Sequence, residues 1–350
     1  MRYELGTKLH HADILQTLFI IGLKCKLPAL ISDWIGFTAK IEQDLACRKF
    51  VKDCDIFLFY NGCGLNSLRY AKKNGTINIV EVVNSHVEYQ ESILKNEYSK
   101  LNLLWKPFPK YEKMVRMKEY EEADYILLPS EFVKKSFISK GFPEEKLLKV
   151  PYRFSNRIHN TKNESYCDGF TVLYVGTICV RKGIRYLIDA FHKLIHPQKK
   201  LVIVGPDSND GALNDVTLTP DIIIKGVLKG AQLEEAYKSA SVFCLPSIED
   251  GFGLVISEAL SYGLPVIATI NTGADEIITD GVEGFIVPIQ NSEAMFMKMQ
   301  MLADDTKLYK KMKIAILEKL STLMGWEETG VQLIDILQKV YDKKKKFVNA

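Results

Sequence analysis

Asp250 and Glu258 stand eight positions apart in the window PSIEDGFGLVISEALSYGLPVIAT, residues 246–269. Between them the turn Gly251-Phe252-Gly253 follows an apolar run and opens a helix-like segment at Leu254. Glycines let a ligand approach the backbone closely, and free amides at a helix start suit a phosphate. Leu254 to Glu258 is one helical turn, so the second carboxylate stays near the mouth of the turn. A carboxylate there can accept hydrogen bonds from two neighbouring hydroxyls, as on a ribose. Glu249, adjacent to Asp250, competes with it for the first acidic position. The bland alternative is a helix N-terminus with two favourably placed acids.

A second window, LYVGTICVRKGIRYLIDAF at 173–191, runs strand, loop, basic pair, glycine, helix. Arg181 and Lys182 fall where a loop crosses strand ends, a position from which they can neutralise a diphosphate. Alone, such a pair reads as solvated surface. Beside an acidic hydroxyl binder in the same domain it reads as half of a site.

Alternating strand-like and helix-like segments, the pattern of parallel α/β sheets, must position these groups. In the first half strands are expected at Ile56–Tyr60, Ile77–Val83, Tyr125–Pro129 and Leu147–Pro151. Helices are expected at Leu65–Lys73 and Glu131–Ser139, the latter with Ser130 as N-cap. The aperiodic polar stretch at 155–169 reads as a linker. A second series follows, with strands at Thr171–Val175, Lys200–Val204, Ile222–Lys225, Val242–Pro246, Pro265–Thr269 and Phe285–Val287. Its helices fill Ile184–Leu194, Leu233–Ser239, Leu254–Tyr262 and the stretch after Ser292. A last amphipathic helix, about Glu327 to Tyr341, carries Val331, Ile334, Leu337, Val340 and Tyr341. In doubly wound sheets ligands bind beyond the carboxyl ends of the strands.

Composition narrows the classes. The 350 residues suit two domains, and 47% hydrophobic with 25% charged residues is a globular balance. Seven scattered cysteines form no CxxC pair, which argues against zinc-ribbon or thioredoxin-like chemistry and for idle thiols in a reducing compartment. The longest apolar stretch, Ile14–Leu23, is about half of the ~20 residues a membrane span needs, and no signal-peptide pattern accompanies it. A cytoplasmic location is therefore expected. Residues 1–160 hold 25 Lys+Arg against 19 Asp+Glu, and the remainder 21 against 24. The basic half can face an anionic membrane or an acidic acceptor, or be an ordinary solvated surface. No nucleic-acid module is recognisable. No GxGxxG follows a strand with an acidic partner ~20 positions on, which disfavours a nicotinamide oxidoreductase.

Together the two windows resemble the retaining glycosyltransferases of family 4. That family's basic loop ending in Lys-Gly is matched by Val175-Gly176 through Arg181-Lys182-Gly183, and its E-x7-E signature by Asp250 through Glu258. GLPVIAT, GADEIITDGVEGFIV, LPSEFVKKSF, GFPEEKLLKVPY and Gly325-Trp326-Glu327-Glu328 are also similar to family sequences. The resemblance covers about residues 120–340 well and 75–100 weakly.

It implies an α/β chain of the GT-B fold: two Rossmann-like domains facing a cleft. Residues 1–157 would form the acceptor side, 158–325 the nucleotide-sugar side, and 326–350 a helix returning to the first domain. The donor would be a nucleoside-diphosphate sugar as co-substrate, with no metal, and the acceptor a hydroxyl of a glycan or lipid-linked saccharide. By resemblance Glu258 binds the donor ribose. Asp250, or Glu249 beside it, lies near the sugar, and the amides of Gly251, Phe252, Gly253 and Leu254 meet sugar and distal phosphate. Lys182 with Arg181 stabilises the leaving diphosphate. Gly226 and Val227 meet the base through their backbone, and His86 lies against the transferred sugar.

Three departures qualify this. The first E-x7-E glutamate is Asp250, one methylene shorter. Thr177, after Gly176, stands where many members carry a phosphate-binding arginine. The chain also opens in a helix-like segment, His11 to Gly22, which leaves the first sheet short of its usual first strand. A catalytically inactive sugar-nucleotide binder, or a subunit needing a partner, is the rival reading.

Overall fold

The computed structural model describes residues 20, 29–152, 169–322 and 325–348. The expected first helix, His11 to Gly22, and the 155–169 linker fall outside these, apart from residues 20 and 169.

The first sheet is parallel, in the order β1 (Ile56–Tyr60), β2 (Ile77–Glu81), β3 (Tyr125–Leu128), β4 (Leu147–Lys149). Among the described residues it has these four strands, preceded by helix α1 (Ala29–Cys47). Connections run through α2 (Leu65–Lys73), α3 (Val87–Lys100), α4 (Lys110–Glu122) and α5 (Glu131–Ile138). Side-chain alternation along the strands sorts the apolar residues onto two faces. Phe59, Val80, Val82, Ile126 and Leu128 pack with Leu68, Val87, Tyr120, Val133 and Phe137 of the four helices. Ile77, Ile79, Leu127 and Val150 face the other way.

That second face is covered by α11 (Trp326–Val348), through Leu333, Ile336, Leu337, Val340 and Tyr341. The apolar stripe expected of this helix is corrected here: Val331 and Ile334 point to solvent. Two stripes, each at helical spacing, overlap in the sequence at Leu337, Val340 and Tyr341. The one that includes Leu333 and Ile336 buries more against the sheet.

The second sheet is also parallel, in the order β10-β9-β8-β5-β6-β7. Its strands are β5 (Phe170–Val175), β6 (Lys199–Val204), β7 (Ile222–Gly226), β8 (Val242–Leu245), β9 (Val266–Thr269) and β10 (Gly284–Val287). Helices α6 (Ile184–Lys193), α7 (Ala231–Lys238), α8 (Leu254–Ser261), α9 (Ser292–Asp304) and α10 (Thr306–Thr322) complete this domain. Every residue of β8 and β9 is buried, as expected of strands covered on both faces. From β5 the chain moves outward through β6 and β7, then returns to place β8 on the opposite side of β5. The strand order therefore reverses between β5 and β8, where a crevice opens beyond the strand ends. Among the described residues, no helix is long and apolar enough to cross a membrane.

Candidate functional site

The reversal between β5 and β8 brings the two chemical windows together. The loop after β5 ends in the short 3-10 turn Val180–Lys182, and the loop after β8 leads into the glycine turn before α8. Backbone bonds bolt one to the other: the Ile248 N–H donates to the Arg181 carbonyl at 2.9 Å. Gly183 makes the close approach possible. It has φ +65°, and a Cβ there would lie 2.1 Å from the Pro246 carbonyl oxygen.

Lys182 donates from Nζ to Asp250 Oδ2. Arg181 Nη1 lies 3.9 Å from Asp250 Oδ1 and donates to the Glu249 carbonyl at 2.8 Å. Glu258 projects from α8 and accepts a 2.9 Å hydrogen bond from the buried Tyr237 hydroxyl. Burial first, and then the Glu258 carboxylate, push the Tyr237 phenol well above its ordinary range, so it stays a donor. One exposed carboxylate is thus held by its neighbour.

The competition between Asp250 and Glu249 resolves into different places. Asp250 stays with the cations and keeps some exposure. Glu249 is fully buried and turns toward the first domain. Two of the four amides expected at a phosphate are already engaged, which corrects that reading: Gly253 N–H donates to the Thr272 carbonyl at 2.8 Å and Leu254 N–H to the Phe252 carbonyl at 3.0 Å. Gly251 packs against the other domain, and Phe252 is buried edge-on to Tyr152 with ring centres 5.3 Å apart.

The remaining residues lie along the same strand ends. Gly176 N–H donates to the Val204 carbonyl, and the Gly226 carbonyl accepts from Gly205 N–H at 2.8 Å. Thr177 is exposed, with its carbonyl bonded to the Tyr174 hydroxyl at 2.8 Å. Val227 is exposed beside Gly226.

His86 requires a correction. Its ring does not line the cleft but is fully buried against Tyr120, Phe137 and Phe142, with centroids 5.0–5.5 Å away. It caps α3, Nδ1 accepting from the Glu88 N–H at 3.2 Å. Burial lowers its pKa to about 4, so at neutral pH it is an uncharged member of the first-domain core. The end of β2 brings the backbone of Val83 and Asn84 to the glycine turn: the Val83 carbonyl oxygen would lie 1.8 Å, and the Asn84 Cα 2.8 Å, from a Cβ on Gly251.

The sequence reading also missed the groups that join the domains at this point. Ser130 was legible as the cap of α5 and accepts from Val133 N–H, but its hydroxyl also donates to the Gly251 carbonyl at 2.7 Å. Ser85 and Gln90 both donate to Glu249. Among the described residues, no group of three or more His, Cys, Asp or Glu side chains is placed to hold a metal ion.

The chain is similar to known glycosyltransferases. Residues 169–305 match the family model described as Glycosyl transferases group 1. An uncharacterized glycosyltransferase of Methanocaldococcus jannaschii is 34% identical over 133 residues, 37% of this chain and 34% of that protein. The lipopolysaccharide 1,2-N-acetylglucosaminetransferase of Salmonella typhimurium is 24% identical, over 90% of this chain and 95% of its own length. The matches to the first four curated relatives span between 34% and 52% of those proteins' lengths. Among solved structures, Anabaena HepE in complex with UDP superposes with a TM-score of 0.65 at 18% identity, over 84% of this chain and 81% of that one. The chain has the GT-B fold, and residues 169–305 in its second domain are similar to the group 1 glycosyltransferases.

Proposed function

We propose that this protein is a retaining glycosyltransferase that moves a sugar from a nucleoside-diphosphate sugar to a hydroxyl of a glycan or lipid-linked acceptor. The observation that carries the reading is the meeting of Lys182 and Arg181 with Asp250 at the mouth of the glycine turn, one helical turn from Glu258. A diphosphate entering the crevice supplies the cations with a stronger partner than Asp250. Lys182 then exchanges carboxylate for phosphate, and Asp250 is released to accept a hydroxyl of the sugar. As the bond from the anomeric carbon to phosphate breaks, charge grows on the departing diphosphate. Lys182 and Arg181 already stand there, so little reorganisation is required of them. Glu258, oriented by Tyr237, takes the ribose hydroxyls.

Retention of configuration rests on the resemblance to family 4. HepE, solved with UDP, supports a uridine donor as the first to try. The basic first half of the chain suits an acidic or lipid-linked acceptor at the cytoplasmic face of a membrane, in peripheral contact with it.

Thermal unfolding against UDP-, GDP-, ADP- and CDP-sugars tests the donor site. A sugar nucleotide at 100 times its dissociation constant stabilises the fold by about 2.7 kcal/mol, and Glu258→Ala abolishes that shift. Transfer is read as nucleotide release in the presence of saccharide acceptors. No shift with any nucleotide refutes the donor site. A shift without transfer to any acceptor replaces the enzyme with a sugar-nucleotide binder or a partner-dependent subunit.

A further inference from the structure

Glu249 is bonded on two sides, by groups from different domains. Its Oε1 accepts from the Ser85 N–H at 3.1 Å and the Ser85 hydroxyl at 2.8 Å, and its Oε2 from the Gln90 side-chain amide at 2.7 Å. All three donors lie at the start of α3 in the first domain, where the helix presents its positive end to the carboxylate. From the second domain, Arg181 Nη1 donates to the Glu249 carbonyl at 2.8 Å and makes a longer, 3.5 Å ion pair with Oε2. The Glu249 side chain has no solvent exposure.

We propose that Glu249 is a positioning residue that couples the approach of the two domains to the placement of Arg181 over the donor turn. The inference rests on the donor reading of the crevice. In the closed arrangement the short bonds to the Glu249 carboxylate come from the first domain, and Arg181, which meets Glu249 through Nη1 alone, keeps the N–H groups of Nε and Nη2 for a diphosphate. When the first domain withdraws, Ser85 and Gln90 leave with it. A carboxylate stripped of its donors is costly to keep, and the nearest cation is Arg181. The guanidinium then tightens its 3.5 Å pairing with Oε2 and turns away from the ligand. The donor site is thus complete only when the domains meet, and a bound diphosphate that holds Arg181 favours their meeting by the same amount.

The latch can be loosened without touching the donor site, in the double variant Ser85→Ala/Gln90→Ala. A control is Tyr186→Phe, which removes another bond between the domains, from the Tyr186 hydroxyl to Glu97 Oε1 at 2.8 Å, and leaves Glu249 alone. Titration calorimetry with UDP, and in parallel with GDP, measures affinity. The double variant loses about tenfold, the size of one charge-assisted hydrogen bond misplaced. Tyr186→Phe stays within about twofold of wild type on the same scale. In an Arg181→Ala background the Ser85/Gln90 changes cost nothing further, because the residue they position is gone. An equal loss in both backgrounds, or no loss in the double variant, overturns the proposal.

Hydrogen exchange on the unliganded proteins separates this outcome from failure of the donor reading. If the wild type binds neither nucleotide and none of the four sugar nucleotides shifts its melting, that reading falls. The latch is then decided by residues 181–183: faster exchange in the double variant supports it, and unchanged exchange overturns it.

Discussion

Gly251→Ala changes one hydrogen to a methyl where the two domains approach closely. A Cβ at this position would lie 1.8 Å from the Val83 carbonyl oxygen, 2.7 Å from its carbon and 2.8 Å from Asn84 Cα. All three are backbone atoms of the first domain and cannot turn aside as a side-chain end would. Real Cβ contacts essentially never fall below 3.0 Å, so the chains must part by at least the difference between 3.0 and 1.8 Å. A displacement of that size carries the 2.7 Å bond from Ser130 to the Gly251 carbonyl, and the 2.8 Å bond from Ser85 to Glu249, out of hydrogen-bond range. The first is worth about 1 kcal/mol and the second, to a charge, about 2 kcal/mol, so roughly 3 kcal/mol leaves the interface. Neither domain's own core is touched. Calorimetric unfolding should therefore keep its second-domain transition, while UDP affinity falls by more than about tenfold. Gly253→Ala is the comparison, since its Cβ meets the Leu245 and Ile256 side chains, which can give way. If Gly251→Ala binds UDP as the wild type does, and unfolds at the same temperature, the contact with Val83 does not set the geometry of the site.

Two further outcomes follow from the same contacts. The folded pKa of His86, about 4, lies below its usual 6.5, so the unfolded chain binds the extra proton first. Its stabilisation is full above pH 6.5 and is lost as the pH falls toward 4, by up to about 3 kcal/mol. Urea unfolding of wild type and His86→Asn, which retains a helix cap, should show the wild-type advantage shrinking over that window; parallel pH profiles would refute the assignment. Gly183→Ala places a side chain at φ +65° and 2.1 Å from the Pro246 oxygen. The backbone conformation alone costs about 1–2 kcal/mol, so a lower melting temperature and weaker UDP binding are expected together. Unchanged melting would show that the turn relaxes freely.

The strands were legible because parallel strands covered on both faces are uninterrupted apolar runs. FTVLYV and VFCL declare themselves, and each boundary fell within a few residues of the sequence estimate. The basic pair and the glycine turn were also legible, as local patterns. Their meeting was not written locally: it follows from β8 lying beside β5, a fact of strand order. The role of Glu249 depends on Ser85 and Gln90, which lie 164 and 159 positions away in the chain. No spacing rule reaches that far. His86 misled because the end of a strand fixes where the backbone goes but not which way a side chain turns. The last helix misled because its sequence carries two overlapping apolar stripes, and only the sheet beneath chooses between them.

The return of α11 to the first sheet also orders how the protein is made. Ile77, Ile79, Leu127 and Val150 belong to the first half of the chain, yet their cover comes from residues between Leu333 and Tyr341. Among the described residues, this apolar face emerges early and gains the cover of α11 only after the whole second domain, β5 to α10, is translated. That middle domain buries its own core and can fold as a unit as it emerges. The N-terminal domain is therefore the last to be completed, and chains that stop before α11 are released with an uncovered sheet. In a cell such truncated products are substrates for chaperones and proteases rather than free half-enzymes.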